Sequence, residues 1–361
     1  MKIFRSYSAR AFIFMAAALC LVPILDKSHI ATLATAARTQ LSGHPATLAS
    51  DLKSEWIPSE EVRFVLQQDM NASFFFVEDE PKNGIDPVRA FLLRAEKNIR
   101  SLFHHLLFLP GCEEREQVEQ WGNSCVSVKT GREQIVLDVG CNRGWYSFMA
   151  AAYGHRVHAF DPQPHCRTLF SASVLVNGFH ELVTFTNAFV TDKPGDTMEV
   201  RRRTGCMGGF PNNNHAGYAD RFRKPLDRLP GANETVVVHG VSLDDMFDAR
   251  KHDVLLLKMD VEGFESHALA SAKRLLAGGG VRNIVVEFNL PMMSRQAEGI
   301  HAMKDRSLQL VRQLTQEYGY KAKASHKGDW RRQQPMTTDE WEKLFTKDRD
   351  AFGTIDAWFY K

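Results

Sequence analysis

From Gln134 onward, strand-length apolar runs alternate with stretches of helical spacing, and that alternation leaves few folds open. Ile135-Val136-Leu137-Asp138-Val139 is a buried-strand pattern closed by Gly140. Residues 145–153 have helical spacing, and residues 156–161 read as a second strand. Pro162-Gln163-Pro164 opens a helix that Asn177-Gly178 ends. Residues 183–190 are the third expected strand. After an irregular stretch, residues 236–241 resume as a strand, 254–260 form the fourth parallel strand and 283–288 the fifth. The helix between the last two covers 264–276 and stops at Gly278-Gly279-Gly280. Another helix is expected over 305–318. A capping box of Thr337 and Glu340 starts one just before Trp341, and 355–360 reads as a closing strand. Strands buried on both faces and joined by helices imply an α/β, mostly parallel, doubly wound sheet.

That domain takes up residues 131–361. Ahead of it, residues 57–70 and 86–108 have helical apolar spacing, so 56–130 reads as an N-terminal helical cap region. Residues 37–55, within a stretch rich in Ala, Thr, Ser and Leu, read as a linker or stem. With 44% hydrophobic and 24% charged residues the chain can bury a core of this size. A net charge of +2 gives no case for nucleic acid as a partner. Positive charge does gather locally: Arg201, Arg202, Arg203, Arg221, Arg223, Lys224 and Arg228 stand against Asp220 and Asp227. That segment is either a solvated loop or a rim that attracts an acidic acceptor.

Lys2, Arg5 and Arg10 precede an apolar run at 11–25, and no acid appears before Asp26. Charge followed by an apolar run is the order of a secretory signal. As a helix the run is roughly 22 Å long, against a bilayer core of about 30 Å. A cleaved signal peptide fits that length better than a full span, while a type II, single-pass anchor stays open. Residues 1–36 are assigned to this signal or anchor, with Ala34-Thr35-Ala36 as a small-residue cleavage pattern. Either puts the rest of the chain in the secretory lumen; an organellar transit peptide is the alternative. Asn71-Ala72-Ser73 and Asn233-Glu234-Thr235 are glycosylation sequons. Cys112 and Cys125 flank a short polar stretch and either bridge or stay as thiols. None of the six cysteines has CxxC spacing, so a structural zinc site is not expected.

The most informative segment is Asp138-Val139-Gly140-Cys141-Asn142-Arg143-Gly144 at a strand-to-helix turn. Gly140 and Gly144 let the backbone turn tightly and approach a ligand. Asp161, at the end of the next strand, can accept both ribose hydroxyls of a nucleoside. The spacing is Gly-x-x-x-Gly, not the G-x-G-x-x-G of a dinucleotide site. An acid at 138 suits a positively charged amino acid–sulfonium ligand better than a pyrophosphate. A second signature, Lys258-Met259-Asp260-Val261-Glu262-Gly263-Phe264-Glu265, ends the fourth strand. Ligands bind beyond the carboxyl ends of such strands, near the topological switch. Asp260 and Glu262 are therefore expected near the reacting centre, unless they merely cap the turn, and Glu265 near a helix N-terminus.

These segments together resemble the FkbM-type methyltransferase family. The resemblance is carried by 136–144, by Ala159-Phe160-Asp161-Pro162, by Val241-Ser242-Leu243-Asp244, by 258–265 and by Glu287, and it spans about residues 134–290. It implies a Rossmann-like class I methyltransferase fold with an N-terminal helical appendage. It also implies S-adenosyl-L-methionine as cofactor, with Asp138, Gly140, Cys141, Asn142, Gly144 and Asp161 lining its pocket. The implied activity is O-methylation of a sugar, glycan or metabolite hydroxyl. The sequence departs from the family pattern at Cys141, where alanine is usual, at Asp161, where glutamate is commoner, and in the long insert after Arg203.

Such a transfer needs the acceptor aligned and its proton removed. Asp260 or Glu262 is the expected acid–base or orienting group. Lys258 is a lesser candidate, since it could simply pair with Glu287. The two carboxylates could instead hold a divalent cation. His104, His105, His155 and His158 form no complete metal set and read as structural. Two rival readings remain: a lumenal glycosyltransferase using Asp348-Arg349-Asp350, and a methyltransferase-like binding protein without activity.

Overall fold

The computed structural model describes residues 62–69, 72–79, 96–108, 126–127, 131–201, 206, 235–293, 299–324, 329–346 and 354–361. All fall in one compact unit, residues 59–361. Strands β1 (Val62–Asp69) and β2 (Ala72–Asp79) are followed by helix α1 (Lys97–Phe108). Next come β3 (Val126–Ser127), β4 (Arg132–Val139), α2 (Trp145–Ala152), β5 (Arg156–Phe160) and α3 (Pro164–Asn177). They lead to β6 (Val183–Thr186), β7 (Phe189–Val190), β8 (Thr197–Arg201), β9 (Thr235–Val241), α4 (Leu243–Met246) and β10 (His252–Met259). The chain ends through α5 (Glu265–Ala270), α6 (Lys273–Ala277), β11 (Val281–Asn289), α7 (Leu290–Met293), α8 (Gly299–Arg312), β12 (Lys321–Ala324), α9 (Thr338–Thr346) and β13 (Thr354–Tyr360).

The main sheet runs β12-β13-β11-β10-β4-β5-β6, with β3 beside the start of β4. β11, β10, β4, β5 and β6 are parallel. β13 is antiparallel to β11, and β12 to β13. Chain order runs from β4 through β5 to β6, then returns to β10 on the other side of β4. The strand order therefore reverses between β4 and β10, and ligands bind at such a switch. This is the expected Rossmann-like α/β sheet. A small separate sheet, β7-β9-β8, carries the strand at 236–241.

Alternation along the strands builds a core on each face. Ile135, Leu137, Val139, Leu257, Met259, Ile284, Val286 and Phe288 pack with α5, α6, α8 and α9. Val136, Leu256, Val285 and Trp358 face the opposite way, with α1, α2, α3 and β2.

The helical expectation for residues 57–70 is wrong. β1 and β2 form an antiparallel pair, from Val62 opposite Asp79 to Asp69 opposite Ala72. Ala72, Phe74 and Phe76 point inward, and both phenylalanines meet Trp145 edge-on, at 5.6 and 5.3 Å. The Asn177 side chain continues the ladder, accepting from Phe75 N at 2.6 Å and donating to Phe75 O at 2.7 Å. Pairing partners of this kind are non-local, so a helical reading of the local pattern missed them. The strand expected over 183–190 splits between the two sheets as β6 and β7. The helix expected over 264–276 breaks at Ser271, whose carbonyl accepts from Asp244 N and Ser242 Oγ. The helix expected over 305–318 starts at Gly299 and ends in a π turn, Gln313–Glu317.

The Thr337–Glu340 capping box is present: Thr337 N donates to Glu340 Oε2 at 2.7 Å and Glu340 N to Thr337 Oγ1 at 3.3 Å. Thr337→Ala is expected to lower unfolding free energy by about 1 kcal/mol, read by urea titration.

Several expectations lie outside the described residues: the run at 11–25, the sequon asparagines Asn71 and Asn233, Cys112 and Cys125, most of the basic segment, and residues 348–350. Among the described residues, no helix is long and apolar enough to cross a membrane.

Candidate active site

Three residues of the turn after β4 have left-handed backbone: Gly140 at φ 76°, Asn142 at 52° and Gly144 at 90°. The N–H groups of Gly140 and Cys141 both donate to Phe160 O, at 2.8 and 3.0 Å, tying the ends of β4 and β5 together. A Cβ on Gly140 would lie 1.8 Å from the Asp260 carbonyl oxygen. The missing side chain thus lets the ends of β4 and β10 close on each other.

Asp161 sits directly after β5 and is 3% exposed. Its Oδ2 accepts from Asn142 N at 3.0 Å and its Oδ1 from Gln163 N at 2.8 Å. Burial pushes its carboxyl up to about 6, against the pull of the Gln163 and Asn142 amides. Each oxygen keeps a further lone pair, which matches the two hydroxyls of a ribose. Gln163 Oε1 is buried beside it with no hydrogen-bond partner in the structure. The residues present therefore fit a nucleoside. The Cys141 thiol is 5% exposed and burial raises its pKa, so it packs rather than reacts.

Asp138 faces inward from β4, 1% exposed. Ser147 Oγ donates to it at 2.6 Å, and Lys258 Nζ lies 3.6 Å from its other oxygen. Lys258 pairs with Asp138 and with Asp260, at 3.4 Å, and donates to Gly140 O at 3.3 Å. These contacts, rather than a pair with Glu287, hold it. Burial opposes its charge, but Asp260, Asp138, Glu96 and Glu287 outweigh burial and keep the ammonium charged. The Asp260 side chain keeps 29% of its surface exposed. Glu262, at φ 53°, accepts from Asn289 Nδ2 at 2.6 Å.

Three acidic residues at this site carry no sequence signal beyond the family match at Glu287. Glu96 precedes α1 and accepts from the Tyr146 hydroxyl. Burial raises its pKa, with Asp260 adding to the shift. Glu287 and Asp356 are register partners on β11 and β13. Burial raises both; Asp260 and Asp356 add to Glu287, whereas Glu96 and Asp260 add to Asp356, which reaches about 7. Each has an ordinary sequence context, and only the sheet order brings them to one place. Among the described residues, no group of three or more His, Cys, Asp or Glu is arranged to hold a metal ion. His104 bonds Tyr153 at 2.6 Å and His155 bonds Leu107 O at 2.8 Å; burial lowers His158 to about 4.

Glu265 begins α5 and is fully buried. Its Oε1 accepts from Gly263 N at 2.9 Å, fixing the turn that carries Asp260 and Glu262. Burial pushes its carboxyl from 4.5 to about 8. The folded chain then holds a proton that the unfolded chain releases, so stability falls as pH rises from 4.5 to about 8. Asp161 and Asp356 act in the same direction at lower pH. Glu265→Gln is therefore expected to flatten the wild-type decline across that window. Urea titrations at several pH values read this; parallel slopes for the two proteins would contradict it.

A family model described as "Methyltransferase FkbM domain" matches residues 138–322. No curated protein matches the chain in sequence. Among solved structures, it is similar to a precorrin-6y C5,15-methyltransferase from Geobacter metallireducens GS-15. That match has 12% identity and a TM-score of 0.31, covering 78% of this chain and 100% of that one. It is also similar to a SAM-dependent methyltransferase from Agrobacterium tumefaciens, at 9% identity and a TM-score of 0.34, covering 85% of this chain and 71% of that one. At such scores the fold rests on the strand order above.

Proposed function

The chain belongs to the FkbM methyltransferase domain family, a family of S-adenosylmethionine-dependent enzymes, and from that premise we propose that it O-methylates a hydroxyl of a sugar, glycan or metabolite in the secretory pathway. The observation that carries the cofactor reading is the Asn142 N–H bond to Asp161 at 3.0 Å. It ties the glycine turn to Asp161 beside the switch between β4 and β10. Asp161 would accept the ribose hydroxyls, with Gly140, Cys141, Asn142 and Gly144 forming the turn. Asp138 would act from beneath, setting the position of Lys258.

The bound cofactor supplies an electrophilic methyl group on a sulfonium. The chain aligns the acceptor hydroxyl and takes its proton. Alignment of this kind contributes ~7–11 kcal/mol, and a placed base about 10²–10⁴-fold. We assign the base to Asp260, which opens to the cleft while Lys258 steadies one oxygen. Glu262 orients it through the shared turn. Glu96, Glu287 and Asp356 lie on the same face of the sheet and would hydrogen-bond acceptor hydroxyls. Burial shifts all three toward the neutral, protonated form, which suits a neutral, hydroxyl-rich acceptor through hydrogen bonds. A lumenal setting draws support from a disulfide, Cys166–Cys206, which persists in oxidising compartments. The apolar run at 11–25 would deliver the chain there as a signal or anchor.

The test incubates the full-length protein with methyl-labelled cofactor and a glycan and metabolite pool, followed by mass spectrometry. Label on a base-stable ether is expected. Label on nitrogen or carbon would refute the oxygen acceptor, and cofactor binding without transfer would favour an inactive binding protein.

A further inference from the structure

Cys166 lies in the first turn of α3 and is bonded to Cys206, 40 residues further on. Both are fully buried, and with Leu169 they form a small apolar cluster apart from the two main cores. Asp161 stands two residues before the Gln163 N-cap of α3, so one end of the bridge is fixed close to Asp161 along the chain. The other end meets the glycine turn. Arg143, 3% exposed, donates from Nε to the Cys206 carbonyl at 3.0 Å. Cys206 Sγ lies 2.9 Å from Asn142 Oδ1; a bridged sulfur has no proton, so this is a packing contact. Asn142 is the residue whose N–H holds Asp161. Its φ of 52° is left-handed, a region that asparagine enters more readily than most residues with a side chain.

We propose that the Cys166–Cys206 disulfide makes Cys206 a positioning residue of the cofactor site, clamping Asn142 and Arg143 in the geometry that presents Asp161, so that its reduction lowers cofactor affinity. This rests on the methyl-donor reading above. Reduction by a dithiol breaks the S–S bond with two electrons and two protons; each cysteine becomes a thiol, and the dithiol closes to its own disulfide. Residue 206 then loses its covalent tie to α3, and its contacts with Arg143 and Asn142 alone hold it against the glycine turn.

The experiment titrates full-length protein with S-adenosylhomocysteine by calorimetry, oxidised and after dithiothreitol treatment. Alkylation and peptide mapping score the thiols at 166 and 206. Reduction is expected to raise Kd about tenfold, the effect of loosening one charge-assisted hydrogen bond at a ligand. Across a series of thiol–disulfide buffers, the change in Kd should share its midpoint with alkylation at the two cysteines. Cys166→Ser should bind like the reduced wild type and ignore dithiothreitol; if that variant does not fold, the wild-type buffer series decides. A bridge that serves only stability would lower the melting temperature and leave Kd, measured well below melting, unchanged. That result overturns the proposal. Failure of the oxidised wild type to bind S-adenosylhomocysteine overturns the methyl-donor reading, and the proposal with it.

Discussion

Asp161→Asn will weaken S-adenosylhomocysteine binding by about 100-fold near neutral pH, the cost of two charge-assisted hydrogen bonds. Both carboxylate oxygens already accept backbone N–H bonds, from Asn142 and Gln163. An amide must turn its NH₂ toward one of those donors, so it loses that bond as well as the charge. Calorimetry reads the affinity, and circular dichroism checks that the variant is folded. Burial holds the wild-type carboxyl at about 6. The carboxylate is the form that accepts ribose hydroxyls, so wild-type affinity should fall as pH drops through about 6. The asparagine variant should show no such step. Wild-type affinity in the variant would remove Asp161 from the cofactor site.

Gly140→Ala is expected to cost more than about 4 kcal/mol of stability, by the mechanisms of overpacking and backbone strain. The new methyl would sit 1.8 Å from the Asp260 carbonyl oxygen and 2.8 Å from its carbon. Both are backbone atoms at the end of β10, so no rotamer relieves the clash. The ends of β4 and β10 would have to part, opening the cleft at its base. Gly131 supplies the control: its φ is also positive, at 60°, but nothing lies within 4 Å of its Cβ position. Gly131→Ala should cost only the ~1–2 kcal/mol of a left-handed alanine. Denaturant titration of the two variants separates strain from collision. Equal stabilities would show that β4 and β10 do not need this close approach.

The proposed cofactor half of the site is carried by residues that the sequence alone singles out. Asp138, Gly140, Gly144 and Asp161 lie at strand ends or in the turn that follows, and a βαβ unit leaves little choice about where those ends meet. The acidic group proposed to meet the acceptor is not. Glu96 comes from outside the matched family segment, and Asp356 sits on the last strand. They share a site with Asp260 because β13 inserts beside β11 and α1 crosses the same face. Neither fact has a local signal. The hairpin at 62–79 shows the same limit: its inward set of Ala72, Phe74 and Phe76 is stabilised by Trp145, far along the chain.

By itself the sequence determined the sheet's parallel core, its two glycine- and acid-bearing strand ends, the α9 cap and the family. Those features depend on residues a few positions apart, where periodicity and backbone preference act directly. Tertiary structure alone decided the packing of the β1–β2 hairpin on Trp145, the pairing of Lys258 with Asp138, the gathering of Glu96, Glu287 and Asp356, and the Cys166–Cys206 bridge. Each of these joins groups that local pattern leaves independent, and only burial against a common sheet brings them within reach.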